Sequence, residues 1–369
     1  MNKTIAVLKG DGIGPETTRE GLKVLQTICE LFGHTFTIKH APFGAAAYFS
    51  HGSPFPQETK EICDEADAII KGPVGLSVEE MNKIPQEHRP EIGAILPLRE
   101  RYDTYANYRP VFLPESIAEF SPLKQKIVKD GIDIMMIREL VGGIYFGEKT
   151  EGNSTGMKYA SDNCVYNKEE VERIAHAAFK EAERKPQKLV TNIHKANVLA
   201  TSRFWRQIVD DIAKEYPHIT YQSMLVDNVA FQLIKNPTQF NGVMLLENMQ
   251  GDIITDEAGG LIGSLGLMPS ACVGPQKGYV EPSHGSAPDI AGKNIANPYS
   301  MIGSVAFLLE KFFNLEKESQ LIWNAMLTIL ESGYRTVDLA TEDTANEYIL
   351  STSEFGDKTC ELIREMVQK

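Results

Sequence analysis

Ile5-Ala6-Val7-Leu8-Lys9-Gly10-Asp11-Gly12-Ile13-Gly14-Pro15-Glu16 joins an apolar run to a glycine-rich turn and then to a proline. Four apolar residues bounded by turn formers read as a buried strand. Proline near a helix start sacrifices no intrahelical hydrogen bond. Residues 17–32 then repeat their apolar positions at helical spacing. Strand, tight turn and helix in that order are the unit of an α/β fold. Residues 66–71 form a second apolar run, ending at Gly72-Pro73. Residues 132–137 and 189–191 read as further strands, and residues 169–184 and 200–216 as amphipathic helices. Residues 299–313, 321–332 and 355–368 predict a helical final third. Residues 142–147 look strand-like between glycines, and the polar residues 148–162 predict a long loop or protruding arm.

The bulk composition narrows the function. With 369 residues the chain is long enough for about two domains. Its net charge of −13 argues against nucleic-acid binding, which needs basic surface. An anion bound by so acidic a protein requires locally concentrated arginine or lysine. Cys29, Cys63, Cys164, Cys272 and Cys360 are scattered, odd in number and without C-x-x-C spacing, as expected of free thiols in a reducing cytoplasm. No segment approaches 18 consecutive apolar residues, so no membrane span is expected.

Several constellations carry chemistry. Asp252 and Asp256, in Glu247-Asn248-Met249-Gln250-Gly251-Asp252-Ile253-Ile254-Thr255-Asp256, are four apart. On a helix this puts both carboxylates on one face, roughly 5–6 Å apart at Cβ. Such a pair suits Mg²⁺ or Mn²⁺, although an exposed acidic face has the same spacing. Asp227, ending another apolar run, is a third oxygen ligand or a helix N-cap. Arg99, Arg109 and Arg138 suit bidentate carboxylate recognition; surface ion pairs are the plain alternative. Arg138 follows an apolar strand, where ligands gather in α/β folds. Tyr145 and Lys195 are candidate proton carriers, the lysine between a strand and a helix; Lys195 alone is also an ordinary structural lysine. The loop from Glu281 to Pro298 offers backbone amides for a pyrophosphate. In it Asp289 accepts from a ribose hydroxyl and repels a 2′-phosphate, favouring NAD over NADP. A purely structural loop remains open. No G-x-G-x-x-G follows a strand, so an ordinary Rossmann site is not supported.

In this order the segments resemble the β-decarboxylating dehydrogenase family of isocitrate and isopropylmalate enzymes, nearly end to end. The most specific pieces are Arg138-Glu139-Leu140-Val141-Gly142-Gly143-Ile144-Tyr145-Phe146-Gly147, Lys195-Ala196-Asn197-Val198-Leu199, Gly251-Asp252-Ile253-Ile254-Thr255-Asp256, and His284-Gly285-Ser286-Ala287-Pro288-Asp289-Ile290-Ala291-Gly292. The resemblance implies that Arg99, Arg109 and Arg138 hold substrate carboxylates. It gives Asp227, Asp252 and Asp256 to Mg²⁺ or Mn²⁺, with Asp227 also touching substrate. His284, Gly285, Ser286, Ala287, Asp289, Ile290 and Asn297 would contact NAD. Lys195 would take the hydroxyl proton and Tyr145 would protonate the carbon left by CO₂. In this family the lysine and the first aspartate reach the site from the partner subunit. Lys195 and Asp227 therefore imply a homodimer with shared active sites, clasped by the arm at residues 148–162.

Within the family, Arg138-Glu139-Leu140 and then Gly142-Gly143 resemble the isopropylmalate branch, which serves leucine biosynthesis. Ile95 and Leu96 would wall an isopropyl group. The implied architecture is the family's two-domain α/β fold, not a Rossmann fold: residues 1–104 with 264–369, and a central domain of residues 105–263 with the dimer interface. Four places depart from the usual pattern: His194 for an Asp before the lysine, Gln250 for an aromatic, Ser283 for a small apolar residue, and Lys71-Gly72-Pro73-Val74-Gly75 for Gly-Ala-Val-Gly-Gly. The rival readings are a sibling enzyme acting on D-malate, tartrate, homoisocitrate or isocitrate, and a non-catalytic regulatory subunit.

Overall fold

The strands alternate with helices along the chain. In this computed structural model, which describes residues 1–154 and 157–368, they are β1 (Asn2–Leu8), β2 (Thr35–His40), β3 (Ala68–Lys71), β4 (Ala106–Leu113), β5 (Ile132–Glu139), β6 (Lys149–Ser154), β7 (Met157–Asp162), β8 (Leu189–His194), β9 (Thr220–Leu225), β10 (Gly242–Leu246), β11 (Pro269–Val273) and β12 (Gly278–Pro282). The chain divides into two compact units, Met1–Tyr102 with Gly263–Lys369, and Asp103–Ile262.

In the first unit the strand order is β2-β1-β3-β12-β11. β1, β2, β3 and β12 run parallel and β11 antiparallel to β12. Ile5–Leu8 are completely buried, which is why this stretch is a continuous apolar run rather than an alternating one. The helix Gly14–Phe32 begins three residues earlier than its periodicity predicts, with Pro15 in its first turn. It stops at Gly33, whose left-handed φ of 67° closes the C-cap. The helix Tyr299–Phe307 is buried at every position; beyond it the backbone widens into a π-turn over Leu308–Phe312, so the predicted single helix is interrupted.

In the second unit the order is β4-β5-β10-β8-β9. β4 is antiparallel to β5, and β5, β10, β8 and β9 are parallel. The helix Lys168–Arg184 opens with a capping box in which Asn167 and Glu170 each accept the other's amide, and packs on β5 and β10. The helix expected over residues 200–216 ends at Ala213. The arm is an antiparallel ribbon of β6 and β7 with Glu151 opposite Ala160; residues 155 and 156 of the expected arm lie outside the described residues.

One local expectation fails. Residues 142–147 are not strand-like: Gly143–Tyr145 form a 3₁₀ turn. Gly143 has φ 74°, and any side chain there would collide with the Tyr166 ring. The glycines permit a sharp turn rather than flanking a strand. No described helix is long and apolar enough to cross a membrane, and all five cysteines are free.

Candidate active site

The end of β5 carries the first functional group. Arg138 and Glu139 belong to β5 itself, and both are buried. Asn107 on β4 lies opposite Arg138, and Arg109 is two residues further on. Strand side chains alternate with period two, so Arg109 and Arg138 project from the same face of the sheet. Both reach the helix Asn248–Leu261. Arg138 Nη1 donates to Asp252 Oδ1 at 2.5 Å and Nη2 to Asn248 Oδ1 at 2.9 Å. Arg109 donates to Asn107 Oδ1 and Thr255 Oγ1, each at 2.8 Å, and to Asp256 Oδ1 at 3.3 Å. Asp252, Thr255 and Asp256 stand at i, i+3 and i+4, one face of the helix. That helix can approach β5 only because residue 251 is glycine; a Cβ there would lie 2.6 Å from Arg138 Cγ.

Tyr145 completes the cluster: its hydroxyl donates to Asp252 Oδ2 at 2.9 Å. Burial, and then the adjacent Asp252 charge, push its phenol up to about 12. Burial also raises the Asp256 carboxyl, with Asp252 adding to the effect and Arg109 opposing it. The two carboxylate side chains remain 43% and 54% exposed, open to a ligand.

Sequence reasoning assigned no role to three residues that shape this cluster. Glu139 accepts the Val141 and Gly142 amides at 2.8 and 2.9 Å, pinning the turn that presents Tyr145. Burial raises its carboxyl to about 7. Asn248 ties Arg138 to the Gly142 carbonyl. Tyr166 donates to Glu247 and accepts the Asn248 amide, fixing the start of the helix. Glu139 and Asn248 lie in stretches the sequence singles out, after the strand-end arginine and ahead of the paired aspartates; Tyr166 has no local signal.

Lys195 and Asp227 form a separate pair. Lys195 follows β8, and its Nζ lies 2.6 Å from Asp227 Oδ1. Asp227 sits in the first turn of the helix Val226–Lys235, where the helix dipole favours a carboxylate. The Lys195 hydrogen bond holds it below the usual carboxylate range. Neighbouring His194 accepts the Ala196 amide on Nδ1 at 3.2 Å and contacts Ser223 Oγ through Nε2 at 2.7 Å. Burial lowers its pKa, in keeping with a neutral ring that donates from Nε2. It therefore holds the turn before Lys195 without adding charge.

Two expected groupings are not assembled by one chain. Tyr145 and Lys195 are bonded to different carboxylates, Asp252 and Asp227. Among the described residues no three His, Cys, Asp or Glu side chains gather closely enough to hold a metal ion, so Asp227 does not join Asp252 and Asp256. The reason is placement: Asp227 heads one helix while the other two occupy the face of another.

The remaining candidates lie in the first unit. Arg99, buried in the short helix Leu96–Arg101, donates from Nε to the Tyr279 hydroxyl at 3.4 Å. Ile95 and Leu96, at the junction of a π-turn and that helix, are half-buried. The Ser286 carbonyl accepts the Ile13 amide at 2.8 Å, so the N-terminal glycine turn abuts the loop after β12. Asp11 accepts the Ala45, Ala46 and Gly75 amides and ties three segments together. Asn297 donates to Asp338 and accepts the Tyr299 amide. Gly285 and Asp289 are exposed; Ala287 and Ile290 are half-buried, their backbones joined from the Ile290 amide to the Ala287 carbonyl at 3.2 Å. Ser283 Oγ and His284 Nε2 are buried without a protein partner. Buried polar atoms of that kind are costly unless something else satisfies them. Ser283 Oγ and His284 Nε2, with the exposed carboxylate of Asp289 further along the same loop, are hydrogen-bonding groups suited to a polar, hydroxyl-rich cofactor.

A sequence model of the isocitrate/isopropylmalate dehydrogenase family matches residues 4–359. The chain is 45% identical to the 3-isopropylmalate dehydrogenase of Thermotoga maritima, over 98% of this chain and 99% of that one. It is also 45% identical to the 3-isopropylmalate dehydrogenase of Bacillus subtilis, over 93% of each. Among solved structures it is similar to isocitrate dehydrogenase from Methylococcus capsulatus, with a TM-score of 0.86 and 31% identity over 98% of this chain and 99% of the other. It is similar too to a β-decarboxylating dehydrogenase from Thermococcus kodakarensis, with a TM-score of 0.78 and 30% identity over 99% and 97%.

Proposed function

The chain belongs to the isocitrate/isopropylmalate dehydrogenase family, and from that membership we propose that it catalyses NAD-dependent oxidative decarboxylation of 3-isopropylmalate to 4-methyl-2-oxopentanoate and CO₂, a step of leucine biosynthesis. The observation that carries the reading is the cluster of Arg109, Arg138, Tyr145, Asp252 and Asp256 around one helix face. It combines cations for carboxylates, oxygen ligands for a divalent cation and a proton carrier. The curated relatives named 3-isopropylmalate dehydrogenase support the choice of substrate.

Binding of the substrate carboxylates is assigned to Arg99, Arg109 and Arg138. They supply the local positive charge that a protein of net charge −13 needs for an anionic substrate. Asp252 and Asp256, with Asp227, would hold Mg²⁺ or Mn²⁺; hard carboxylate oxygens with exposed positions suit either ion. Ser283, His284, Gly285, Ser286, Ala287, Asp289, Ile290 and Asn297 would hold NAD. A bound divalent ion would supply Lewis-acid polarisation of the substrate, and bound NAD would accept the hydride. Lys195 removes the hydroxyl proton. After CO₂ leaves, Tyr145 delivers a proton to the carbon; its raised pKa keeps it protonated for that task. Ile95 and Leu96 form the apolar wall for the isopropyl group.

The active form in this reading is a homodimer in the cytoplasm. Phe231, Ile234 and Ile253 are exposed at 59%, 46% and 62% on the helices Val226–Lys235 and Asn248–Leu261. A second copy of the chain covers this apolar face. It also supplies Lys195 and Asp227 to the Tyr145, Asp252 and Asp256 of its neighbour.

The test is NADH formation by purified protein with Mg²⁺ or Mn²⁺, comparing 3-isopropylmalate with D-malate, tartrate, homoisocitrate and isocitrate. A kcat/KM preference for 3-isopropylmalate and NAD, lost on chelation and restored by the ion, is expected. A preference for another acid would transfer the assignment to a sibling activity. Absence of turnover would refute the catalytic reading.

A further inference from the structure

Lys71 is the last residue of β3, and its side chain is only 1% exposed. β3 and β12 are parallel with Ile70 opposite Val280, so Lys71 and Glu281 occupy the next rung. The two side chains meet there, Nζ to Oε2, at 2.6 Å. Lys71 also donates to the Gly72 carbonyl at 3.2 Å. Glu281 further accepts from Cys272 Sγ at 3.5 Å. Tyr279 precedes Glu281 by two residues and therefore shares its face of β12. Arg99 donates to the Tyr279 hydroxyl from its buried position. Lys71, Glu281, Tyr279 and Arg99 thus form a buried polar row with two cations and one anion.

This row bears on the carboxylate-binding role given to Arg99, and the inference rests on that reading. Buried charges interact strongly because water does not screen them. Burial works against the Arg99 charge, yet its surroundings, Glu281 among them, raise its pKa; Glu281 also lies on the face of β12 that presents Tyr279 to Arg99. An uncompensated Glu281 would occupy the positive field that a substrate carboxylate needs. We propose that Lys71 is a positioning residue for substrate binding: it takes up the charge of Glu281 and leaves the positive charge of Arg99 to the substrate.

The inference predicts a split between ligands. Lys71→Met should raise KM for 3-isopropylmalate about tenfold or more while leaving the dissociation constant of NAD within about twofold. Lys71→Met with Glu281→Gln removes both charges and should return the substrate KM to within about threefold of wild type. A purely structural ion pair would instead weaken NAD and substrate together, and the double variant would stay impaired. Either result, or an unchanged KM in Lys71→Met, overturns the inference. Circular dichroism establishes folding; if the single variant does not fold, the double variant decides, a wild-type-like KM supporting the inference and a raised one refuting it. Wild-type protein that fails to turn over 3-isopropylmalate would overturn the proposed function and this inference with it. Wild-type turnover with the wrong variant pattern would overturn the inference alone.

Discussion

The Tyr145 hydroxyl donates to one oxygen of Asp252 at 2.9 Å while Arg138 holds the other at 2.5 Å. One carboxylate thus orients both the proton donor and a substrate-binding cation. Tyr145→Phe removes the proton and leaves the ring. The expected loss is about 10²- to 10⁴-fold in kcat with NAD affinity retained. Steady-state kinetics and NAD titration check this, and an unaltered kcat would eliminate Tyr145 as the donor.

Lys195 is bonded to Asp227 rather than to any member of the Tyr145 cluster. Lys195→Met should abolish turnover without weakening NAD binding. If sites are shared between subunits, a mixed dimer of Lys195→Met and Tyr145→Phe has one site with neither defect. Dissociating and reassociating the two inactive proteins should then recover about a quarter of wild-type activity, from half the dimers with one working site each. No recovery would mean that both residues serve the same site from the same chain.

Asp289 is exposed on the loop after β12. Asp289→Lys removes the acceptor for a ribose hydroxyl and reverses the charge. The expected outcome is NAD affinity weaker by about tenfold or more, by analogy with the loss of a hydrogen bond to a charged group. Equal affinities in a direct titration would remove Asp289 from the cofactor site.

Glu139 has a carboxyl raised from 4.5 to about 7 by burial, although two amides favour its charged form. The folded chain therefore holds this proton more tightly than the unfolded chain does. The corresponding stability is complete below about pH 4.5 and is lost as pH rises through about 7. Glu139→Gln cannot titrate, so its melting temperature should fall less than that of wild type between pH 5 and pH 8, values chosen to span the rise. Parallel pH profiles for the two proteins would show that Glu139 does not titrate there.

Local patterns were legible in the sequence because they depend on nearest neighbours along the chain. The apolar run Ile5–Leu8, the proline start of the helix Gly14–Phe32 and the i, i+4 spacing of Asp252 and Asp256 are of this kind. The turn at Gly143 was misread because glycine accommodates strand and turn alike; the Tyr166 ring decides between them.

The sequence by itself determined the α/β alternation, the residue types able to bind carboxylates and a cation, and the family. Tertiary structure alone decided which of those residues meet. Parallel pairing sets Lys71 beside Glu281 although they are far apart in sequence. A glycine at residue 251 lets a helix settle against Arg138, and one chain leaves Lys195 with Asp227, apart from Tyr145. Burial and hydrogen bonding act through space between segments that have no local signal for each other, so the partners of a charged side chain become defined only when the strands and helices have packed.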